Sequence, residues 1–331
     1  MSFKPIKIVS MGQYLPVQKV DSASLEKELG LEEGWILKTN GVRSRHYVNA
    51  QETGAYMGAQ ALQKALNRAN MQFEDLDLLI DASGSFDFPI PHNACLIPRE
   101  LGILNAGIPC WDVDSTCLGF VTALDMASYL LDGSRYSNVA IVNSEIASKS
   151  LNPKDPKSAT LFVDAAIATI VSYCSTDEGK GVLAAGMETY SQGAHYTRVK
   201  GGGNALHPNT KTTFSDFTFA MEGKAVMRLG MQKILPFVEK LFSTVELEMS
   251  DIDCIIPHQA SKMALDFAQK VFKWRSDQMV SILADYGNCI STSIPLALYT
   301  AIESGQLQRG DSCLLLGTAA GLSVGGLVFV Y

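Results

Sequence analysis

MQFEDLDLLIDAS, residues 71–83 of this 331-residue chain, has a counterpart in LEMSDIDCIIPHQ at residues 247–259. Both stretches pass from an acidic turn into an apolar run, which is typical of a buried strand. The equivalent aspartates, Asp77 and Asp253, are 176 residues apart. This repetition predicts that the chain contains two copies of one α/β unit.

A second pair of similar stretches follows in the same order. ALDMASYLLDGS at 123–134 resembles ALYTAIESGQ at 297–306, with an offset of 174 residues. Each is a helical pattern that ends near a glycine and leads into another apolar strand, as αβ loops commonly do. Chance similarity between amphipathic segments is the alternative. Duplication predicts an α/β fold of two halves, 1–176 and 177–331, with largely parallel sheets covered by helices and a shared crevice.

Composition excludes several classes of function. The net charge is −7 and no run of Lys or Arg occurs, whereas phosphate-backbone binding requires a concentrated basic face. Seven cysteines without a CxxC pair indicate reduced thiols and a cytoplasmic protein. Zinc-ligand spacing is missing, so we expect no metal. The N-terminus has no long apolar stretch, so we expect no signal peptide.

The uncharged segment 312–331 has the length of a membrane span. Four glycines interrupt it, and no basic flank follows. We therefore interpret 313–316 and 327–331 as two buried strands joined by a glycine turn. No membrane attachment is expected.

The candidate nucleophile lies in DVDSTCLGF, residues 112–120. Cys117 follows an apolar strand pattern and precedes a helical one, so it faces the positive end of a helix dipole, which favours the thiolate. The alternative is a small buried core residue, because free cysteine is often buried.

Two polar residues of the second half complete a possible nucleophilic site. His258 follows the apolar run 254–257, and Asn288 lies in a Gly-Asn turn. Taken singly, they are as typical of a core histidine and a turn former. The repeat maps the turn around Asn288 onto the turn of Cys117, and the strand before His258 onto the strand that ends at Ala82 and Ser83. Because the two halves should pack with their strand ends and turns at one shared crevice, we expect the three residues to meet there.

Four motifs in the right order resemble the β-ketoacyl-acyl-carrier-protein synthase III family, which has the thiolase fold. IPHQAS (256–261) resembles V-P-H-Q-A-N, and YGNCISTSIP (286–295) resembles G-N-T-S-A-A-S-x-P. DVDSTCLGF resembles D-V-x-x-A-C-x-G-F, and GWILKTNGVRSR (34–45) resembles W-I-x-x-x-x-G-I-x-x-R. The similarity extends along nearly the whole chain.

The resemblance implies a decarboxylating Claisen condensation. Cys117 would accept an acyl group from a thioester, and His258 and Asn288 would donate hydrogen bonds to the carbonyl of a malonyl thioester. The backbone N–H groups of Cys117 and of the turn at Gly321 would form an oxyanion hole. An enolate requires neutral or positive donors, and a carboxylate in place of Asn288 would oppose it.

The resemblance also implies binding residues and partners. Trp35 would stack on the coenzyme A adenine, Gly223 would lie along the pantetheine arm, and Ile90 would shape the acyl pocket across a homodimer. Arg228 and Lys262 would contact the carrier protein. The alternative for Arg228 is an ordinary arginine on a helix surface, and the alternative for Trp35 is an interface or surface aromatic. The substrates would be acyl-coenzyme A or acyl-carrier protein and malonyl-carrier protein, with no bound cofactor.

Several positions depart from the family pattern. F-G-D-G-A-G-A becomes FVDAAIA at 162–168, and G-G-G becomes TAAG at 318–321. The family asparagine is Ser261, the basic residue two positions later is Met263, and an expected arginine aligns near Pro156. A changed pocket leaves open a primer other than acetyl, in fatty-acid synthesis or a specialised pathway. It also leaves open acyl transfer or thioester hydrolysis without decarboxylation, and a non-catalytic paralogue that binds a partner.

Overall fold

The computed structural model describes residues 3–331. Within that range the strands are β1 (Ile6–Tyr14), β2 (Gln18–Asp21), β3 (Ser44–Tyr47), β4 (Leu78–Asp81), β5 (Cys110–Asp112), β6 (Asn138–Glu145), β7 (Ala165–Tyr173), β8 (Gly181–Thr189), β9 (Thr197–Val199), β10 (Phe219–Met221), β11 (Cys254–Pro257), β12 (Ser312–Ala319) and β13 (Ser323–Val330). The α-helices are α1 (Ser22–Leu29), α2 (Trp35–Asn40), α3 (Gly54–Ala69), α4 (Leu96–Glu100), α5 (Gly119–Leu130), α6 (Pro156–Ala159), α7 (Gly223–Phe242), α8 (Lys262–Phe272), α9 (Leu283–Tyr286) and α10 (Ser293–Glu303).

Two sheets of matching topology confirm the duplication. One has the strand order β1-β7-β6-β4-β5, and the other has the order β8-β13-β12-β11. In the first sheet, β4 and β6 are parallel, whereas β6 with β7 and β7 with β1 are antiparallel. In the second sheet, β11 and β12 are parallel, whereas β12 with β13 and β13 with β8 are antiparallel. A parallel bridge between Ile255 and Met279 occupies the position equivalent to β5. Each half therefore repeats the same four-stranded unit.

The expectation of largely parallel sheets is wrong. In each half the last strand, β7 or β13, pairs antiparallel with the strand before it and with β1 or β8 on its other side. Such strands are apolar on both faces because helices cover both sides of the sheet, so their composition resembles that of parallel strands.

The two sheets sandwich the equivalent helices α5 and α10, which share one apolar core with both sheets. The helix α3 covers the outer face of the first sheet, and α7 and α8 cover the outer face of the second. The glycines that end the repeated helical patterns, Gly133 and Gly305, have φ of 74° and 75°, a left-handed conformation that favours glycine.

The division between residues 176 and 177 lies in the connection from β7 to β8, which leads from the first sheet to the second. The uncharged C-terminal segment forms β12 and β13, paired from Ser312 with Val330 to Ala319 with Ser323. Its interpretation as two strands is confirmed. Within residues 3–331, no helix is both long and apolar enough to cross a bilayer.

Candidate active site

Cys117, His258 and Asn288 all line one cavity of about 600 Å³. Cys117 precedes α5, His258 follows β11, and Asn288 lies in the turn between α9 and α10. The duplicated fold brings the three segments together, as the repeat in the sequence predicts.

The turn that carries Cys117 has a strained backbone. Thr116 has φ of 48°, and its counterpart in the second half, Ile290, has φ of 51°. Non-glycine residues adopt this region at a cost, and they concentrate at functional sites. A Cβ on Gly119 would lie 2.1 Å from the carbonyl oxygen of Ala82, so only glycine lets α5 start this close to β4. The close approach holds Cys117 at the cavity surface.

Burial and, to a smaller extent, the nearby Glu145 carboxylate together raise the pKa of the Cys117 thiol to about 12. The expectation that the helix dipole favours a resting thiolate is therefore wrong. Removing water from an anion costs more than one helix N-terminus returns, since the dipole contributes at most about 2 kcal/mol. The thiol is protonated at rest.

Two backbone N–H groups, those of Cys117 and Ala320, lower the pKa of the Cys117 thiol by hydrogen bonding to the sulfur. Ala320 is the residue before Gly321 in the turn between β12 and β13. Gly321 itself has φ of 134°, a conformation that favours glycine, and so serves the turn. Ala320, in the turn that contains Gly321, thus supplies an N–H that acts on the sulfur.

The imidazole of His258 is buried, and the resulting loss of hydration lowers its pKa to about 4. It is neutral at pH 7. Its Nδ1 is buried without a hydrogen-bond partner. Because a buried N–H without an acceptor is rarer than an unpaired acceptor, the proton is better placed on Nε2. His258 can then donate a hydrogen bond through Nε2.

Asn288 is oriented by its own loop. Its Oδ1 accepts a hydrogen bond from the backbone N–H of Ile290 at 2.9 Å, and its Nδ2 donates to the carbonyl oxygen of Ala260 at 3.2 Å. An amide NH₂ has two hydrogens, so one is left to donate to a ligand. The loop therefore presents Asn288 to the cavity as a donor.

Glu145 is a further site residue, which sequence reasoning missed. It ends β6, is fully buried, and accepts hydrogen bonds from the Gly84 N–H at 2.6 Å and from the Ser291 hydroxyl. Ser291 is the counterpart of Cys117 in the second half. Burial raises the pKa of Glu145 to about 7. The available signal was a charged residue at the end of an apolar strand pattern.

The residues assigned to substrate binding are distributed unevenly. Gly223, the first residue of α7, lines the cavity. Trp35 begins α2 and packs half-buried against a neighbouring apolar cluster without lining the cavity. Ile90 is 88% exposed and does not line the cavity of its own chain. Arg228 and Lys262 are exposed on α7 and α8, and the ammonium of Lys262 pairs with Asp266 at 2.6 Å.

Positions that depart from the family pattern have structural roles here. Ser261 lines the cavity and caps α8 by accepting a hydrogen bond from the Ala264 N–H at 3.3 Å. Met263 is 68% exposed. Val163 is fully buried, and a Cβ on Gly287 would lie 2.4 Å from its Cγ2. The loop of Asn288 thus packs directly on the changed segment.

Two family models match the chain: 3-oxoacyl-[acyl-carrier-protein] synthase III over residues 111–193 and its C-terminal part over residues 242–331. The β-ketoacyl-[acyl-carrier-protein] synthase III of Clostridioides difficile is 29% identical over 322 residues, which cover 97% of each chain. That of Caldanaerobacter subterraneus is 30% identical over 317 residues, covering 96% of this chain and 95% of the relative. The crystal structure of the synthase III of Aquifex aeolicus has a TM-score of 0.88 at 26% identity, covering 98% of this chain and 100% of that chain.

Proposed function

Because this chain belongs to the β-ketoacyl-acyl-carrier-protein synthase III family of condensing enzymes, we propose that it joins an acyl group carried on Cys117 to a malonyl thioester with loss of CO₂. One observation supports this most directly. A thiol and two neutral side-chain donors, from three separate segments, line the same cavity.

In the first step, the sulfur of Cys117 attacks the carbonyl carbon of an acyl thioester. The bond from that carbon to the carrier sulfur breaks, and the thiol proton ends on the departing thiol. During this attack, negative charge moves from the sulfur to the carbonyl oxygen of the thioester. The backbone N–H groups of Cys117 and Ala320, which act on the sulfur, stabilise this charge. The start of α5 adds a favourable dipole.

In the second step, a malonyl thioester enters with its carbonyl oxygen near His258 and Asn288. The bond to the carboxylate breaks, CO₂ leaves, and the electron pair becomes an enolate stabilised by the two donors. The enolate carbon attacks the acyl carbonyl on Cys117 and displaces the thiolate, which takes up a proton. The high pKa of this thiol returns it to the neutral resting form.

An exposed apolar surface supports the proposal that the enzyme is a homodimer. Phe86, Phe88 and Ile90, in the loop after β4, are 62%, 55% and 88% exposed. Contiguous apolar exposure marks an interaction surface. Light scattering of the purified protein tests this proposal, and a mass of one chain at micromolar concentration would contradict it.

All seven cysteine thiols are free, which fits a reducing compartment. We therefore also propose a cytoplasmic location, with coenzyme A and carrier-protein thioesters as the substrates.

Intact-protein mass spectrometry tests the proposed reaction. We expect incubation with acyl-coenzyme A to add one acyl group, and malonyl-carrier protein to remove it as a β-ketoacyl product with release of CO₂. Cys117→Ala should abolish the mass gain. Cys95→Ala is the matched control, because Cys95 is another partly accessible thiol and does not line the cavity.

Two results would contradict the condensation. Discharge of the acyl group only to water or another nucleophile, without CO₂, would identify an acyltransferase or thioesterase. No acylation from any coenzyme A or carrier-protein donor would favour a non-catalytic paralogue that binds a partner.

A further inference from the structure

Glu145 is a buried carboxyl group that the two proposed reaction steps do not use. It ends β6 and is not part of the cavity lining. Its Oε1 accepts hydrogen bonds from the N–H of Gly84 at 2.6 Å, from the hydroxyl of Ser291, and from the N–H of Ser291 at 3.4 Å. A fully buried glutamate is rare unless a cation pairs with it, and within residues 3–331 Glu145 makes no salt bridge. Its partners are therefore the key to its role.

Glu145 lies where the turns of the nucleophile and of its amide donor meet. A Cβ placed on Gly84 would be 3.4 Å from Glu145 Oε1. The same Cβ would be 3.4 Å from Thr116 Cα and 3.6 Å from Ile290 Cγ2, which belong to the two turns with a strained backbone. One point beside Gly84 is thus within van der Waals range of the carboxylate and of both turns.

The turn of Asn288 is fixed at its two ends by different parts of the fold. At its start, two backbone hydrogen bonds of 3.0 Å join Asn288 to the segment 161–163. At its end, Ser291 donates to Glu145. Between them, Ile290 has φ of 51° and donates its N–H to Asn288 Oδ1 at 2.9 Å. Because a strained turn persists only where its surroundings hold it, loss of the hold at Ser291 should let the amide of Asn288 reorient.

The carboxylate has a second, separate effect, which is electrostatic. Its negative charge raises the pKa of the Cys117 thiol and that of the buried Cys289 thiol. Burial raises the pKa of Glu145 itself to about 7, so the group is largely ionised at pH 8. The hold on the turn depends on an accepting oxygen, whereas the thiol pKa depends on charge. Glutamine keeps such an oxygen and lacks the charge, so substitution can separate the two effects.

We propose that Glu145 is a positioning residue for decarboxylation, which acts through Ser291 to hold Asn288 in the orientation that stabilises the enolate. This inference rests on the proposed function, because Asn288 serves as an enolate donor only in the condensing reaction. The hydrogen bonds to Oε1, the closeness of both turns and the strained backbone at Ile290 all support this role.

Three variants separate the hydrogen bonds of Glu145 from its charge. Glu145→Gln keeps the accepting oxygen and removes the charge, and Glu145→Ala removes both. Ser291→Ala removes one donor and keeps the charge. Two assays are needed: CO₂ release from malonyl-coenzyme A without a primer, and alkylation of Cys117 by iodoacetamide at pH 8.

CO₂ release should fall about tenfold or more in Glu145→Ala, because misplacement of a catalytic group by about 1 Å can cost a hundredfold. It should fall about two- to tenfold in Ser291→Ala, which loses one hydrogen bond, and stay within about twofold of wild type in Glu145→Gln. Alkylation should be about two- to tenfold faster in both Glu145 variants and unchanged in Ser291→Ala.

Ser144→Ala is the matched control for Ser291→Ala. Ser144 precedes Glu145 in β6, and its buried hydroxyl donates to the Gly54 carbonyl oxygen at 2.7 Å instead of to the carboxylate. This variant should match wild type in both assays. Equal loss of CO₂ release in Glu145→Gln and Glu145→Ala, or a wild-type rate in Ser291→Ala, would overturn the positioning role.

Hydrogen exchange of the backbone N–H groups at 288–292, measured by mass spectrometry, separates failure of this inference from failure of the proposed function. Suppose that wild type releases no CO₂, while exchange is faster in Glu145→Ala and Ser291→Ala but not in Glu145→Gln. This result would retain the hold on the turn and reject the condensing chemistry. CO₂ release by wild type, with exchange that Glu145→Ala leaves unchanged, would retain the chemistry and reject the hold.

Discussion

Gly317→Ala should impair decarboxylation by displacing His258. Gly317 lies in β12, and a Cβ there would be 2.8 Å from His258 Cβ. Carbon atoms settle at about 3.5–4.0 Å, so the two must separate by about 0.7 Å or more. The backbone of His258 is held in place, because its N–H donates to the Leu316 carbonyl oxygen at 2.8 Å. The imidazole must therefore change its orientation to relieve the contact. Misplacement of a catalytic group by about 1 Å can cost a hundredfold in rate.

We expect Gly317→Ala to slow malonyl thioester decarboxylation about 10- to 100-fold, which corresponds to about 1.4–2.7 kcal/mol in activation free energy. Acylation of Cys117 should change less, because Leu118 Cδ2, 3.3 Å from the new Cβ, can rotate away. The assay measures CO₂ release without a primer and, separately, acyl transfer to Cys117.

Gly186→Ala is the matched control in the same sheet, because the nearest atom to its Cβ, from Phe237, is 3.6 Å away. It should decarboxylate at the wild-type rate. If folded Gly317→Ala stays within about twofold of wild type, or if Gly186→Ala loses as much activity, steric positioning of His258 is refuted.

Three further predictions concern the polar residues of the site. Asn288→Asp keeps the oxygen that accepts from the Ile290 N–H but places a carboxylate beside the enolate. CO₂ release should therefore fall about 10²- to 10³-fold while Cys117 acylation persists, and equal loss of both steps would contradict this prediction. Glu145→Gln removes a negative charge near Cys117, so the pKa of the Cys117 thiol should fall. Iodoacetamide should then modify Cys117 about two- to tenfold faster at pH 8, and a slower reaction would contradict the electrostatic reasoning. Because the pKa of His258 is lowered to about 4, its neutral form persists as the pH falls, and decarboxylation should stay level down to about pH 5. The pH profile of decarboxylation should be measured in the Glu145→Gln variant, because Glu145, with a pKa of about 7, titrates in the same pH range. A decline of the rate centred near pH 6.5 would contradict the lowered pKa of His258.

The positions of Cys117, His258 and Asn288 could be predicted because each depends on local pattern. An apolar run followed by a polar residue places that residue at a strand end, and the offset between equivalent stretches relates the two halves. The mixed direction of the sheets could not be predicted. Strands covered on both faces have the same apolar composition whether the neighbour is parallel or antiparallel.

The protonation states of the site could not be predicted either. A helix dipole can be inferred from sequence, but the desolvation that overrides it at Cys117 depends on how completely other segments exclude water. Glu145 illustrates the same point. Its hydrogen bond with Ser291 joins residues 146 positions apart, and no local pattern contains that contact.

Local patterns and their repetition thus determined the duplicated α/β architecture and the positions of Cys117, His258 and Asn288, because strand ends and turns depend on neighbouring residues. Only tertiary packing decided that the thiol rests protonated, that Ala320 supplies an N–H to the sulfur, and that residues of α7 and α8 line the cavity. Water exclusion and cavity shape arise from side chains that meet from distant parts of the chain, so they exist only once the chain has folded.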